Sequence, residues 1–244
     1  MPASRSSPVS PRPALARLSL VGFALVYPTP FTWLYFIVLT RPGYPHAMQQ
    51  AVFLAGKALQ FGLPLVWMLL VERGRPVFRR PTRGALAWGL GTGLAMALGM
   101  AAGYWLLGSN PVFAKAAGEL RTKWTELGVF NRPTLLAIGL SYILFHTLLE
   151  EYYWRWFVFG RLRELISPGA AIGVSSLGFM AHHVILVATY FTWPWATLFA
   201  LATATAGAIW AWLYQRSGLL YGPWLSHLLA EIAIFAVAYR LVFG

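Results

Sequence analysis

The chain has 244 residues, of which 58% are hydrophobic, 16% aromatic and only 11% charged, against roughly 45–50% apolar and about 25% charged in soluble domains. It contains no cysteine and no aspartate, so disulfides, thiolate chemistry and aspartate-based mechanisms are excluded, and carboxylate chemistry falls to Glu72, Glu119, Glu126, Glu150, Glu151, Glu164 and Glu231. The net charge of +12 does not indicate a nucleic-acid partner, because the Lys and Arg residues sit between hydrophobic runs rather than on a soluble face.

The first run, about Leu18 to Thr40, is uncharged and follows Arg5, Arg12 and Arg17. It is longer than a signal-peptide core and no small-residue cleavage site follows, so it reads as a retained span, kinked or started late by Pro28 and Pro30. Ala51 to Val71 forms a second span interrupted only by Lys57, which snorkels or pairs with a glutamate and is assigned no chemistry. Residues 72–83 form a loop with five arginines, the kind that stays cytoplasmic. Gly84 to Leu107 carries Gly89 and Gly93, then Gly99 and Gly103, each pair four apart on one face, which predicts close helix packing. Residues 112–127 place Val112, Phe113, Ala116, Ala117, Leu120, Trp124 and Leu127 on one stripe, with Lys115, Glu119, Arg121, Lys123 and Glu126 mostly off it, an amphipathic helix on the membrane surface or against the bundle.

Four more spans follow, at about Pro133 to Gly160, Pro168 to Phe191, Ala196 to Tyr214 and Leu219 to Tyr239. With the N-terminus cytoplasmic, eleven Lys and Arg residues fall on the inner side and six on the outer, so the expectation is an all-α polytopic bundle of about seven spans in a plasma (inner) membrane. The chain divides into a basic segment 1–17, N-terminal spans with the amphipathic helix at 18–132, and a helical core at 133–244.

Within these spans lie Lys57, His146, Glu150, Glu151, Arg155, His182, His183, His227 and Glu231. Ionisable groups at such depth cost at least about 2.5–3.5 kcal/mol each on insertion scales, which marks them as site candidates. Glu151 and Arg155 are i and i+4 on one helix and form a nearly neutral, mainly structural pair. His146 is one turn before Glu150 and orients it or packs beside it. Glu150 is eleven residues before Arg161 and His227 eleven after Arg216, which puts both about 16 Å from the inner edge, with His183 about 22 Å deep unless its helix tilts. A carboxylate flanked by imidazoles supports either a glutamate general base acting on water or a His, His, Glu metal site, and both make a hydrolase. No His-Glu-x-x-His helix, no Gly-x-Ser-Gly loop and no aspartate dyad is present.

Glu150-Glu151-Tyr152-Tyr153-Trp154-Arg155 reads Glu-Glu-x-x-x-Arg, Phe179 to His183 reads Phe-x-x-x-His, and His227 to Glu231 reads His-x-x-x-polar. Three such motifs in this order, each on its own span, resemble the CPBP family of CAAX prenyl protease-related and bacteriocin-processing (Abi) intramembrane endopeptidases, over about residues 130–240. The resemblance implies that Glu150 activates water with His183 beside it, and that His227 and position 231 polarise the scissile carbonyl and hold the oxyanion. Glu151, Arg155 and His146 are supporting residues. His182 is rotated by about 100° from His183 and is expected to face elsewhere. The family more often has Asn where this chain has Glu231. Asn donates a hydrogen bond and ionised Glu does not, so Glu231 either stays protonated and donates or orients His227.

The implied mechanism is metal-dependent or glutamate-based. The glutamate form is favoured with no cofactor; a zinc ion would take Glu150, His183 and His227. The implied partners are the bilayer and a membrane-associated protein or peptide substrate, prenylated CAAX-like or a precursor. A proton-coupled transporter or an immunity-type membrane protein is the non-enzymatic alternative.

Overall fold

The computed structural model describes residues 11–73, 79–126 and 131–244. Arg5, Arg75 and Leu127, and the side chains of Arg12, Lys123 and Glu126, lie outside what is described. Among the described residues there is no strand, and seven helices are long and apolar enough to cross a bilayer. In chain order they are α1 (Ala16–Val38), α2 (His46–Leu70), α3 (Arg83–Leu107), α5 (Arg132–Leu162), α6 (Pro168–Tyr190), α7 (Trp193–Ser217) and α8 (Tyr221–Phe243), with the amphipathic α4 (Pro111–Glu126) between α3 and α5.

The prolines of α1 neither end it nor delay it. Tyr27 keeps right-handed helical angles and its N–H reaches Phe23 O at 2.8 Å, so Pro28 starts a second segment as a first-turn proline whose missing N–H costs nothing. In α2 the buried residues Gly56, Gln60, Pro64 and Met68 recur every four positions, which defines its inward face.

α3 and α8 pack most closely. A Cβ on Gly89 would lie 2.5 Å from the Gly222 carbonyl oxygen, and one on Gly93 would lie 2.8 Å from Ser226 Cα, so these two helices meet backbone to backbone. Gly99 and Gly103 have open space where their side chains would be, contrary to the expectation from their spacing. Four-residue spacing sets a common face but does not supply a partner for it.

α4 buries the stripe read from its sequence, with Val112, Phe113, Ala116 and Ala117 enclosed. It lies against the end of α8, where Arg121 donates to the Leu241 and Val242 carbonyls, both at 3.1 Å. At the other end of the bundle Arg161 on α5 pairs with Glu72 at 2.5 Å and Glu164 at 2.9 Å, and Arg163 donates to Gln215 at 3.1 Å. Glu72, the 161–164 joint and Gln215 are therefore grouped at one end of the bundle. The core lies between, around Tyr153, Trp154, Phe157 and Phe159 of α5, Phe179 of α6 and Trp210 of α7.

Candidate active site

Helix α5 is not regular. Two π-helical stretches, Tyr142–His146 and Tyr152–Phe159, flank a short α-helical turn, Thr147–Glu151, that carries both glutamates. Wider winding of this kind is frequent at functional sites. After Glu150 the helix is enclosed on all sides: from Glu151 to Gly160 no residue is exposed. Thr147 anchors the turn, its hydroxyl donating to Ile143 O at 2.6 Å and accepting from Trp224 Nε1 of α8 at 3.1 Å.

Helix α6 starts at Pro168 behind a Ser167 cap and brings Phe179, His182 and His183 to the level of Glu150. Phe179 is 1% exposed and packs its ring against those of His182, His183 and His227 at 5.5, 4.4 and 6.2 Å between centres. One phenyl group thus spaces three imidazoles. Gly207 of α7 makes room for that ring, since a Cβ there would lie 3.2 Å from Phe179 Cδ1.

The Glu150 carboxylate is 4% exposed. His146 Nε2 stands 3.5 Å from Oε1, His182 Nε2 3.7 Å from Oε1, and His227 Nε2 3.8 Å from Oε2. His183 is not displaced from Glu150 as the depth arithmetic expects: the donor atoms of Glu150, His182 and His183 lie within 4.8 Å of one another. His182 does not face elsewhere. The 100° step between successive helical residues turns its ring toward Trp154, against which it stacks with 1° between planes, and this still leaves Nε2 directed at Glu150.

Glu151 does more than neutralise Arg155. Its Oε1 is 2.8 Å from His227 Nδ1, while Oε2 is 3.2 Å from Arg155 Nε in an ion pair not aligned as a hydrogen bond. With Nδ1–H donating to Glu151, the His227 ring is fixed and Nε2 is presented to Glu150. The imidazole is also stacked on Trp210, 4.0 Å between ring centres and 16° between planes. Arg155 lies over Phe179 at 4.6 Å and over the same indole at 5.0 Å, and its Nη2 donates to Gly207 O at 3.4 Å. Trp210 Nε1 donates to Ser226, which also accepts from Thr92 of α3. Trp210 carries no sequence signal as a support of the site, since an aromatic residue in an apolar span gives no sign of which ring it will face, whereas Phe179 is marked by its motif.

Glu231, one turn beyond His227, makes no hydrogen bond or ion pair among the described residues, although His227, Glu150 and His146 are within its electrostatic reach. Lys57 makes no ion pair with a glutamate there either. Its Nζ donates to Gln60 Oε1 at 3.2 Å and lies over the rings of Phe53 and Phe61 at 5.9 and 5.4 Å.

The three donors that converge as a possible cation site are Glu150, His182 and His183, with His182 in the place expected for His227. Two imidazoles and a carboxylate are a donor set known for catalytic zinc. His183 has the supporting contact such a ligand needs, Nδ1 to Phe179 O at 2.8 Å, which leaves Nε2 free. His182 lacks it, since its buried Nδ1 has no partner among the described residues.

In comparison with known proteins, residues 132–233 match the family model described as type II CAAX prenyl endopeptidase Rce1-like. No curated protein and no solved structure matches the chain. The matched stretch begins with α5, ends in α8 and contains Glu150, Glu151, Arg155, His182, His183, His227 and Glu231. Residues 132–233 are therefore an Rce1-like domain, the same stretch over which the three motifs resemble the CPBP family.

Proposed function

We propose that this protein is an intramembrane endopeptidase in which Glu150 activates water to cleave a peptide bond of a membrane-associated protein or peptide, either a prenylated CAAX-like tail or a sorted precursor. The observation that carries this is the enclosed Glu150 carboxylate with imidazole nitrogens of three different helical positions at 3.5, 3.7 and 3.8 Å. Glu150 takes a proton from water held between it and the histidines, and the hydroxide adds to the carbonyl carbon. His227, when both ring nitrogens carry a proton, donates Nε2–H to the developing oxyanion while Glu151 accepts from Nδ1–H. The C–N bond breaks as the proton on Glu150 passes to the leaving amine, giving a carboxylic acid and an amine. Protonated Glu231 adds a second donor to the oxyanion. The arginine distribution supports a cytoplasmic N-terminus in a plasma membrane, with the site entered from within the bilayer.

The test is cleavage of an apolar peptide library by the purified chain in lipid nanodiscs. Glu150→Gln is expected to lower the rate by at least about a hundredfold, the lower end of what general-base catalysis contributes. Wild-type rates in folded Glu150→Gln would overturn the assignment.

A second reading has a divalent ion on Glu150, His182 and His183, supported by their convergence and by the Phe179 contact to His183. Such an ion would polarise the scissile carbonyl and lower the pKa of bound water. Elemental analysis of wild type and His182→Ala separates the readings: stoichiometric metal lost in the variant supports the ion, and full activity of a metal-free preparation supports glutamate alone.

A further inference from the structure

The end of the bundle that holds Gln215 has a surplus of positive charge. The carboxylates described there, Glu72 and Glu164, both pair with Arg161, and Arg163 is matched only by the neutral Gln215 amide. Arg216 follows Gln215 on α7, and among the described residues no carboxylate is within ion-pair distance of it. Aromatic rings hold it instead. Its guanidinium lies over Trp88 of α3 at 5.2 Å and over Trp212 at 5.5 Å, and the two indoles meet edge to face with 5.4 Å between centres. Two indoles at right angles make a corner that fixes the guanidinium plane and leaves its N–H edge unspent.

Arg216 borders a cavity of about 340 Å3 where α3, α7 and the start of α8 meet, lined by Thr82, Ala85 and Trp88, by Arg216 and Ser217, and by Gly222. That volume falls in the range of about 300–1,000 Å3 usual for small-molecule sites. Thr82 accepts from Ala85 N–H at 3.2 Å, so its own O–H remains to be given. Ser217 is spent, its hydroxyl donating to Leu213 O at 2.9 Å and accepting from Leu219 N–H at 3.2 Å. The donors on offer are thus a guanidinium fork and one hydroxyl, and no carboxylate lines the cavity. A carboxylate is satisfied by the fork alone, whereas a phosphate has a further oxygen for Thr82. The cavity also lies at the ends of three spans, level with two indoles, where lipid headgroups are found, and basic pockets between spans bind such headgroups.

We infer that this cavity binds a phosphate group, carried by an anionic phospholipid or by a soluble phosphate ester, with Arg216 taking two of its oxygens and Thr82 a third. This goes beyond the proteolytic reading and does not depend on it. The position bears on the candidate active site all the same. Gly222 backs onto α3, where a Cβ on it would lie 2.9 Å from the Ala85 carbonyl oxygen, and five residues later α8 carries His227. A ligand bridging Thr82 and Arg216 clamps α3 to α7 at the point where α8 begins.

The experiment titrates the full chain in detergent micelles with phosphatidylglycerol, with diacylglycerol of the same acyl chains and with glycerol 3-phosphate, and native mass spectrometry counts the bound molecules. One phosphatidylglycerol per chain is expected, held at least about tenfold more tightly than diacylglycerol. Arg216→Gln is expected to weaken it about tenfold to a hundredfold, the range for hydrogen bonds to a charged group, while Arg163→Gln, the same loss of charge at the same end, leaves it within about twofold. Trp88→Leu removes one wall of the corner that orients the fork, lowers the affinity severalfold, and repeats the test should Arg216→Gln fail to fold. Phosphatidylglycerol binding without glycerol 3-phosphate binding supports the site and identifies the source as lipid. Glycerol 3-phosphate binding as tightly, with the same dependence on Arg216, supports the site and identifies a soluble ester. Equal affinity for phosphatidylglycerol and diacylglycerol overturns the phosphate site, as does an equal fall in Arg163→Gln and Arg216→Gln, or binding of neither phosphate compound.

Discussion

Replacing Glu151 by Gln is the most informative perturbation of the site, because one carboxylate serves two partners. Glu151 is fully buried and Arg155 is 2% exposed. Gln is nearly isosteric, so packing is conserved and the change is electrical: Arg155 keeps its aromatic neighbours and the Gly207 carbonyl but loses its counter-charge. Breaking a buried pair by removing one partner costs about 3–5 kcal/mol, so Glu151→Gln should lower thermal stability markedly. Arg155→Met should cost less, because Glu151 still holds His227 at 2.8 Å. The double variant Glu151→Gln, Arg155→Met should be more stable than Glu151→Gln alone, since no charge is then left unpaired. Activity separates from stability: in both variants lacking Glu151 the charged acceptor that fixes His227 becomes a neutral amide oxygen, a loss of about 1–1.5 kcal/mol, or about fivefold to tenfold in kcat/KM. Unfolding followed by tryptophan fluorescence and cleavage kinetics on the same preparations give both quantities. Additive destabilisation in the double variant, or full activity in Glu151→Gln, would refute the coupling of Arg155 to His227 through this carboxylate.

Other outcomes follow from single contacts. Trp210→Leu removes the surface on which His227 and Arg155 rest and the donor to Ser226, and should lower kcat about tenfold with little change in KM, as read from initial rates. Gly93→Val forces α3 away from Ser226 of α8 and should abolish stable expression, whereas Gly99→Val, in open space, should express as wild type; size-exclusion profiles compare them. Glu231→Gln supplies a permanent N–H donor, so it should retain activity where Glu231→Leu loses at least about tenfold in kcat; equal rates would exclude position 231 from the oxyanion site.

The spans, their joints and the amphipathic helix were legible because hydropathy and charge act over many residues, and the bilayer leaves few alternatives. Glu150, His183 and His227 could be grouped because each is an ionisable residue in an apolar run. What could not be read depends on rotation and tilt. Regular geometry on one helix turns His182 away from His183, yet its Nε2 reaches Glu150 while its ring face meets Trp154. Sequence spacing offers Glu151 only Arg155 on its own helix, while its shorter contact comes from α8, 76 positions away. Gly99 and Gly103 repeat the pattern of Gly89 and Gly93, and only the placement of α8 distinguishes them.

The change of surroundings along α5 has a consequence for traffic through the site. Residues on the stretch before Glu150 alternate between burial and exposure, with Leu136, Leu140 and Phe145 at 60%, 57% and 66%, whereas the ten that follow are wrapped by protein. Glu150 thus stands at the boundary between a half of α5 that is open on one side and a half that is enclosed. A segment that approaches α5 from the bilayer therefore meets the half before Glu150, and the enclosed half offers it no lateral contact.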